Sequence, residues 1–301
     1  MIKIRILLIL LAAGVLFSCS QNVKLEKEVS VEKEKSYNDT PFIQESHDGY
    51  FISENNADNE IRSIAVDKES NVWVATASGI FVKEEVTREW TPIIKGNDRG
   101  PAYSVVVTNN GSVVMGTWNG IYRFQNNQLK KEVGAKPPIS ELTTKGDETY
   151  ALGPYGIWKA NDGIWEVQNY KIARSVRDAE ADGVGGLFVA TDAGLYFCKN
   201  EETTLYQNTD ELISCYVKGV TFGPNNEVWA GVMGGVSIRE NGKLVQNLTP
   251  KEGIPSNFVN CITQSPEGAM WQLCKAFHNC HYAKKTFMQS NIYTCQLISN
   301  I

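Results

Sequence analysis

The chain has 301 residues, 29 Lys and Arg against 34 Asp and Glu, and a formal net charge of −5. An acidic balance without clustered cations argues against nucleic acid as partner, because phosphate binding depends on grouped Lys and Arg. Only three histidines are present, two of them beyond residue 271, and the seven cysteines are irregularly spaced; neither a His-dependent mechanism nor a disulfide framework is supported.

Lys3 and Arg5 precede an apolar stretch over residues 6–17, too short for an ordinary spanning helix and built like a secretory signal, which assigns residues 1–18 to a signal peptide. Leu16-Phe17-Ser18-Cys19 resembles a bacterial lipobox. That resemblance implies lipidation of Cys19 and acyl chains that hold the protein at a membrane surface, each buried methylene contributing about 0.8 kcal/mol. Loss of residues 1–18 removes Lys3 and Arg5 and takes the charge from −5 to −7, so membrane attachment comes from lipid and not from charge. Residues 19–45 are polar and charge-alternating (Lys24, Glu26, Lys27, Glu28, Glu32, Lys33, Glu34, Lys35), with too little apolar content for a core, and read as a flexible tether. The expected location is the bacterial cell envelope, lipid-anchored on the periplasmic or outer-membrane face.

Residues 46–271 repeat one pattern: a short apolar run, a polar turn, a large apolar anchor, and then, in the clearer copies, a small residue, Thr, two variable residues and Gly. The clearest copies span 61–82, 102–124 and 185–198, with weaker ones at 148–160 and 225–238. Trp73, Val114, Tyr150, Phe188, Trp229 and Trp271 are the anchors, separated by 41, 36, 38, 41 and 42 residues. A period near 40 fits a propeller blade or a helical repeat. Runs rich in Val, Ile, Thr and aromatics, bounded by Gly, Asn, Asp and Ser, select strands. Asn109-Asn110-Gly111, Pro224-Asn225-Asn226 and Pro266-Glu267-Gly268 suit hairpin turns between the first and second runs. Gly79, Gly120, Gly156, Gly194 and Gly235, each six residues after its anchor, are expected where the backbone takes a conformation closed to other residues. The predicted fold is all-β: a β-propeller of four-stranded blades, five repeats complete and a sixth partial.

The pattern over 67–80 is similar to the two-component regulator propeller repeat, and the resemblance covers 55–271. It implies a sensor-type propeller, here as a stand-alone lipoprotein, and it implies glycan recognition as one role. Closure would need more blades, so the parent is expected to have seven, and an unclosed ring would expose strand edges and make this product marginal.

Beyond Trp271 the repeat fails: Cys274 falls where Thr is expected and Phe277 where Gly is expected. Residues 272–301 hold no Gly, Pro, Asp or Glu, yet three Cys and two His. Cys274, His278, Cys280 and His281 offer soft ligands, but their spacing matches no usual metal site. The abrupt switch inside a repeat points instead to a shift of reading frame near codon 272, and no cofactor or metal is expected. Cys198, Cys215 and Cys261 are expected in or beside blade strands, and an exported compartment would permit a Cys198–Cys215 bridge if their strand register allowed it.

The links between blades and between second and third strands gather on one face of a propeller. They hold Trp118, Asn119, Tyr155 and Asp192, with Thr117, Pro154, Thr191 and Met233 beside them, while the inner strands start with Arg62, Tyr103, Arg177 and Lys218. Aromatic faces beside polar and basic groups suit a saccharide, including an acidic one. The candidate function is therefore ligand binding or sensing without catalysis, toward an oligosaccharide or another small ligand. A protein-interaction scaffold is the second reading, and a lyase or hydrolase the third. His47 lies ahead of the repeats, and Asp178, Glu180 and Asp182 read as solvated turn carboxylates and not as a catalytic pair.

Overall fold

Each repeat becomes one antiparallel sheet whose strands follow the chain. The computed structural model describes residues 51–94, 100–172, 175–254, 256–265, 268–275 and 293–298, with side chains as far as Gln272. The expectations for the signal peptide, Cys19, the tether, His47, His278, Cys280 and His281 lie outside those residues. Among the described residues no helix is long and apolar enough to cross a membrane.

The first blade comprises β1 (Ile61–Val66), β2 (Val72–Thr76), β3 (Gly79–Lys83) and β4 (Trp90–Pro92); the second, β5 (Ala102–Val107), β6 (Val113–Thr117), β7 (Gly120–Gln125) and β8 (Gln128–Lys131). The third holds β9 (Glu141–Lys145), β10 (Glu148–Gly153), β11 (Gly156–Asn161) and β12 (Ile164–Gln168); the fourth, β13 (Val176–Ala181), β14 (Gly186–Thr191), β15 (Gly194–Lys199) and β16 (Glu202–Tyr206). The fifth is β17 (Val217–Phe222), β18 (Val228–Val232), β19 (Gly235–Glu240) and β20 (Lys243–Leu248). The sixth has three described strands, β21 (Val259–Gln264), β22 (Met270–Lys275) and β23 (Tyr293–Ile298). β22 thus runs on past Trp271, and its third-strand partner comes from residues 293–298. First strands of successive blades touch in the order β1, β5, β9, β13, β17, β21 and form the inner wall; no comparable contact joins β21 to β1 among the described residues.

The strand register shows why the repeat has its spacing. All six anchors face the same inner-strand position, opposite Ala65, Val106, Thr143, Glu180, Thr221 and Thr263. The core lies between blades: Trp73, Ala75, Ile80 and Val82 of the first pack on Ala102, Val105, Val113 and Met115 of the second, and Trp229, Val236 and Ile238 of the fifth pack on Val259, Ile262 and Met270 of the sixth. In the first and fifth blades a turn carboxylate satisfies the indole of the Trp anchor, Asp67 for Trp73 and Glu227 for Trp229. The Asp67 carboxylate accepts from Trp73 Nε1 at 2.8 Å and from Asn71 Nδ2 at 3.0 Å. Burial raises its pKa, but these bonds and those from the Asn71 and Glu69 amides outweigh burial and hold it below the usual carboxylate range.

The Thr-x-x-Gly signature is a braced two-residue link. Thr191 Oγ1 donates to Gly194 O at 2.8 Å and accepts from Ala193 N at 3.1 Å, and Thr76 and Thr117 make the same pair of bonds. Gly194 has φ 140°, and a Cβ there would come within 2.3 Å of Tyr206 O. No other residue fits that position.

Candidate functional site

Because each first strand begins where the second-to-third link turns, the register brings both sets of candidate residues to one end of every sheet. Ile61 pairs with Thr76, Ala102 with Thr117, Val176 with Thr191 and Val217 with Val232. The residue after each of these inner-strand starts is a β-bulge, and the four bulged residues are Arg62, Tyr103, Arg177 and Lys218; Asn260 is a fifth. A bulge drops one residue out of the ladder and re-aims its side chain, so a recurring bulge turns the start of the wall into a row of outward-aimed groups. In the third blade the pairing is unbroken from Glu141 to Lys145.

The bulged groups meet across blade boundaries. The Arg62 guanidinium lies over the Tyr103 ring at 5.0 Å and is also bonded to Glu60 at 3.0 Å. Arg177 and Lys218 approach the Tyr216 ring at 5.4 and 5.8 Å, and Lys218 Nζ donates to Asn260 Oδ1. Distances of this kind are those of cation–π contacts. Trp118 and Tyr155 are 56% and 57% exposed on neighbouring blades, and Lys136 stands 4.4 Å from the Tyr155 ring centroid. Asn119 is half-buried in its link, its amide held by Thr117. Asp192 is half-buried, and its Oδ1 is shielded from solvent with no hydrogen-bond partner among the described residues. All eight candidates therefore lie at one end; Arg62 contacts Tyr103 directly, and Arg177 and Lys218 meet through Tyr216. Tyr216 and Lys136 escaped the sequence reading. An aromatic just before an inner strand was the available signal for Tyr216.

Deeper along the wall, the residue after the bulge stitches one blade to the next. Ser63 Oγ accepts from Val105 N at 3.1 Å, Ser104 Oγ from Leu142 N at 3.1 Å, and Asp178 Oδ2 from Val220 N at 2.8 Å. Glu141 shares this position and takes a hydrogen bond from Ser104 Oγ at 3.1 Å. Asp178 and Glu180 are therefore not solvated turn residues: both lie in the inner strand β13. Asp182 is the turn residue, its Oδ1 accepting from Val184 N and Gly186 N at 2.7 Å each. The sequence alternation of acids with Ala hid a strand whose carboxylates line the wall. Burial pushes Asp178 and Glu180 up to about 7, with the Asp178 charge adding to the effect on Glu180 while Lys145 opposes it. Burial and then the Asp178 charge push Glu141 well above the carboxylate range.

Cys198, Cys215 and Cys261 form no disulfide; the Cys198–Cys215 bridge that an exported compartment would permit is not made. Cys198 sits in the core of the fourth blade, where burial pushes its thiol up to about 12. Among the described residues no group of His, Cys, Asp and Glu is arranged to hold a metal ion. A cavity of about 330 Å³ opens at the opposite end of the wall, where Lys68, Asn109 and Lys145 meet on the first three blades. Lys68 there is tied to Asn109 O at 2.9 Å, and none of the eight candidate residues lines it.

Consecutive four-stranded antiparallel sheets ranged along one inner wall define a β-propeller. Residues 57–78, in the first blade, match the family model described as two component regulator propeller, and the anchors of the other blades take the same register position as Trp73. Solved structures agree on the fold. Virginiamycin B lyase from Staphylococcus aureus is similar with a TM-score of 0.60 at 12% identity, over 82% of this chain and 87% of that one. YCF48 bound to D1 peptide gives 0.55 at 18% identity, over 70% and 74%. The WD40 beta propeller domain of Doa1 gives 0.53 at 13% identity, over 70% of this chain and 75% of that chain. No curated protein matches the chain by sequence.

Proposed function

We propose that this chain is a membrane-anchored propeller lipoprotein of the bacterial envelope that binds a ligand, in a sensory role, without transforming it. The ligand class is an acidic oligosaccharide. One observation carries this reading: cationic groups, aromatic faces and an orphaned acceptor share one end of the inner wall. Arg177 and Arg62 suit a sugar carboxylate, the open faces of Trp118 and Tyr155 suit pyranose rings, and Asp192 Oδ1 suits a hydroxyl donor. The wall carboxylates count against catalysis, because Asp178 spends one oxygen on the Ala179 amide and the other on the Val220 amide, and Glu141 spends Oε1 on both Ser104 Oγ and the Leu142 amide. The two-component regulator repeat over 57–78 supports sensing, and the lipobox-like Leu16-Phe17-Ser18-Cys19 supports anchoring.

Isothermal titration with oligogalacturonates and with neutral oligosaccharides of equal length tests the proposal. The acidic series is expected to bind and to weaken with salt, and Arg177→Ala is expected to abolish the preference. Equal affinity for both series, or turnover of either, would refute the reading. Binding of a folded protein with no saccharide binding would favour a scaffold.

A further inference from the structure

One flank of the first blade breaks a rule that the other five obey. Ile64 shares its register position with Val105, Leu142, Ala179, Val220 and Ile262. Those five are 2–3% exposed, whereas Ile64 is 60% exposed. Ile61 and Val66 flank it at 43% and 58%, whereas Ala102, Val217, Val259 and Ala181 at their register positions are fully buried and Val176, Val107, Thr144, Phe222 and Gln264 are half-buried. The contrast has one cause. At each interior junction this face is covered by the anchor-bearing side of the preceding blade, as Trp73, Ala75 and Ile80 cover Ala102 and Val105, and among the described residues no strand packs on this face of the first blade.

The complementary side is also uncovered, on the sixth blade. Trp271 holds the anchor position there, but it is only half-buried where Trp73 and Trp229 are 3% and 4% exposed. Thr263, opposite it, is exposed where its counterparts Thr143 and Thr221 are buried. Among the described residues the chain thus carries one apolar socket without an anchor and one anchor without a socket, both halves of an interface it already builds five times.

We propose that the Ile61, Ile64 and Val66 flank receives the Trp271 flank of a second copy of this chain. The occupant is chosen by that complementarity: the chain supplies the stereochemistry that covers the same positions at every internal junction. The two surfaces differ, so the contact is heterologous and leaves each assembled pair with one open socket and one open anchor. Such contacts grow head to tail unless the geometry closes them.

Sedimentation velocity on the full chain in mild detergent, over a wide concentration range, tests this. Wild type is expected to form concentration-dependent oligomers. Ile64→Glu and Thr263→Glu, both at exposed positions, are each expected to sediment as monomers with unchanged thermal unfolding. Their equimolar mixture is expected to give a dimer and nothing larger, since each variant keeps the half the other has lost. A monomeric wild type at every concentration would overturn the proposal and leave the flank to a different partner. Thr263→Glu assembling like wild type, or a mixture that stays monomeric, would overturn the head-to-tail arrangement.

Discussion

Gln272 occupies in the sixth blade the register position that Ala230 occupies in the fifth, facing Ile262 as Ala230 faces Val220. Both are buried, but Gln272 brings an amide whose nitrogen and oxygen find no hydrogen-bond partner among the described residues. The other blades place Val74, Met115, Ala151 and Val189 there. A buried polar group left unpaired costs about 1–3 kcal/mol. Gln272→Met, which keeps the volume and copies Met115, is therefore expected to raise unfolding stability by about that amount. Urea denaturation checks it, and an unchanged or lower midpoint would refute the assignment.

The wall carboxylates make stability depend on pH in the direction opposite to ordinary acid unfolding. Glu180, pushed from 4.5 up to about 7, holds a proton in the folded state that the unfolded chain has already released. Its contribution is intact below the unfolded value and is lost as pH rises through about 7. Glu180→Gln removes that loss. The variant is expected to match wild type near the bottom of this window and to exceed it at pH values above the window by about 1–3 kcal/mol. Denaturation series across the window decide the matter; parallel curves for the two proteins would show that Glu180 is not held protonated.

The second-to-third link of the fourth blade depends on two residues acting together. Gly194→Ala forces a Cβ toward Tyr206 O in a backbone conformation that side chains rarely adopt, at a cost of about 1–3 kcal/mol in strain. Thr191→Ala removes the hydroxyl that donates to Gly194 O and costs about 1 kcal/mol. Since both substitutions disturb one link, the double variant is expected to lose less than the sum. Simple additivity in thermal unfolding would separate the two residues.

Much of this was legible because a propeller repeats its energetics. Trp73, Val114, Tyr150, Phe188, Trp229 and Trp271 face one register position, and anchor spacing in the sequence records that packing. Arg62, Tyr103, Arg177 and Lys218 were findable as inner-strand starts, but not as bulges, because a bulge is a property of pairing and leaves no residue signature. Glu141, Asp178 and Glu180 were hidden for a related reason. Acids inside an apolar strand look like turn residues until the neighbouring blade supplies the Ser104 hydroxyl and the Val220 amide that hold them.

Burial decides which cysteine reacts. Cys198 is fully buried with its thiol raised to about 12, whereas Cys215 is half-buried and Cys261 exposed. The thiolate is the reactive form. Alkylation of the native protein at neutral pH, followed by peptide mapping, is expected to spare Cys198 and to label Cys261. Early labelling of Cys198 would mean that the fourth blade opens.

Arg177 and Lys218 approach the same Tyr216 ring, yet they are not equivalent toward a ligand. Lys218 already donates to Asn260 and crosses to the next blade, so its charge is partly spent on holding two inner strands together. Arg177 is exposed, and among the described residues its guanidinium contacts the Tyr216 ring alone, which leaves its edge open for a bidentate bond to a carboxylate. Arg177→Ala is therefore expected to weaken oligogalacturonate binding about tenfold or more while leaving stability within about 0.5 kcal/mol. Lys218→Ala is expected to do the reverse, lowering the melting temperature while affecting affinity less. Titration and thermal unfolding on the two variants give four numbers, and the crossed pattern among them distinguishes a ligand contact from an inter-blade strut. Equal losses of affinity would place both cations in the binding face.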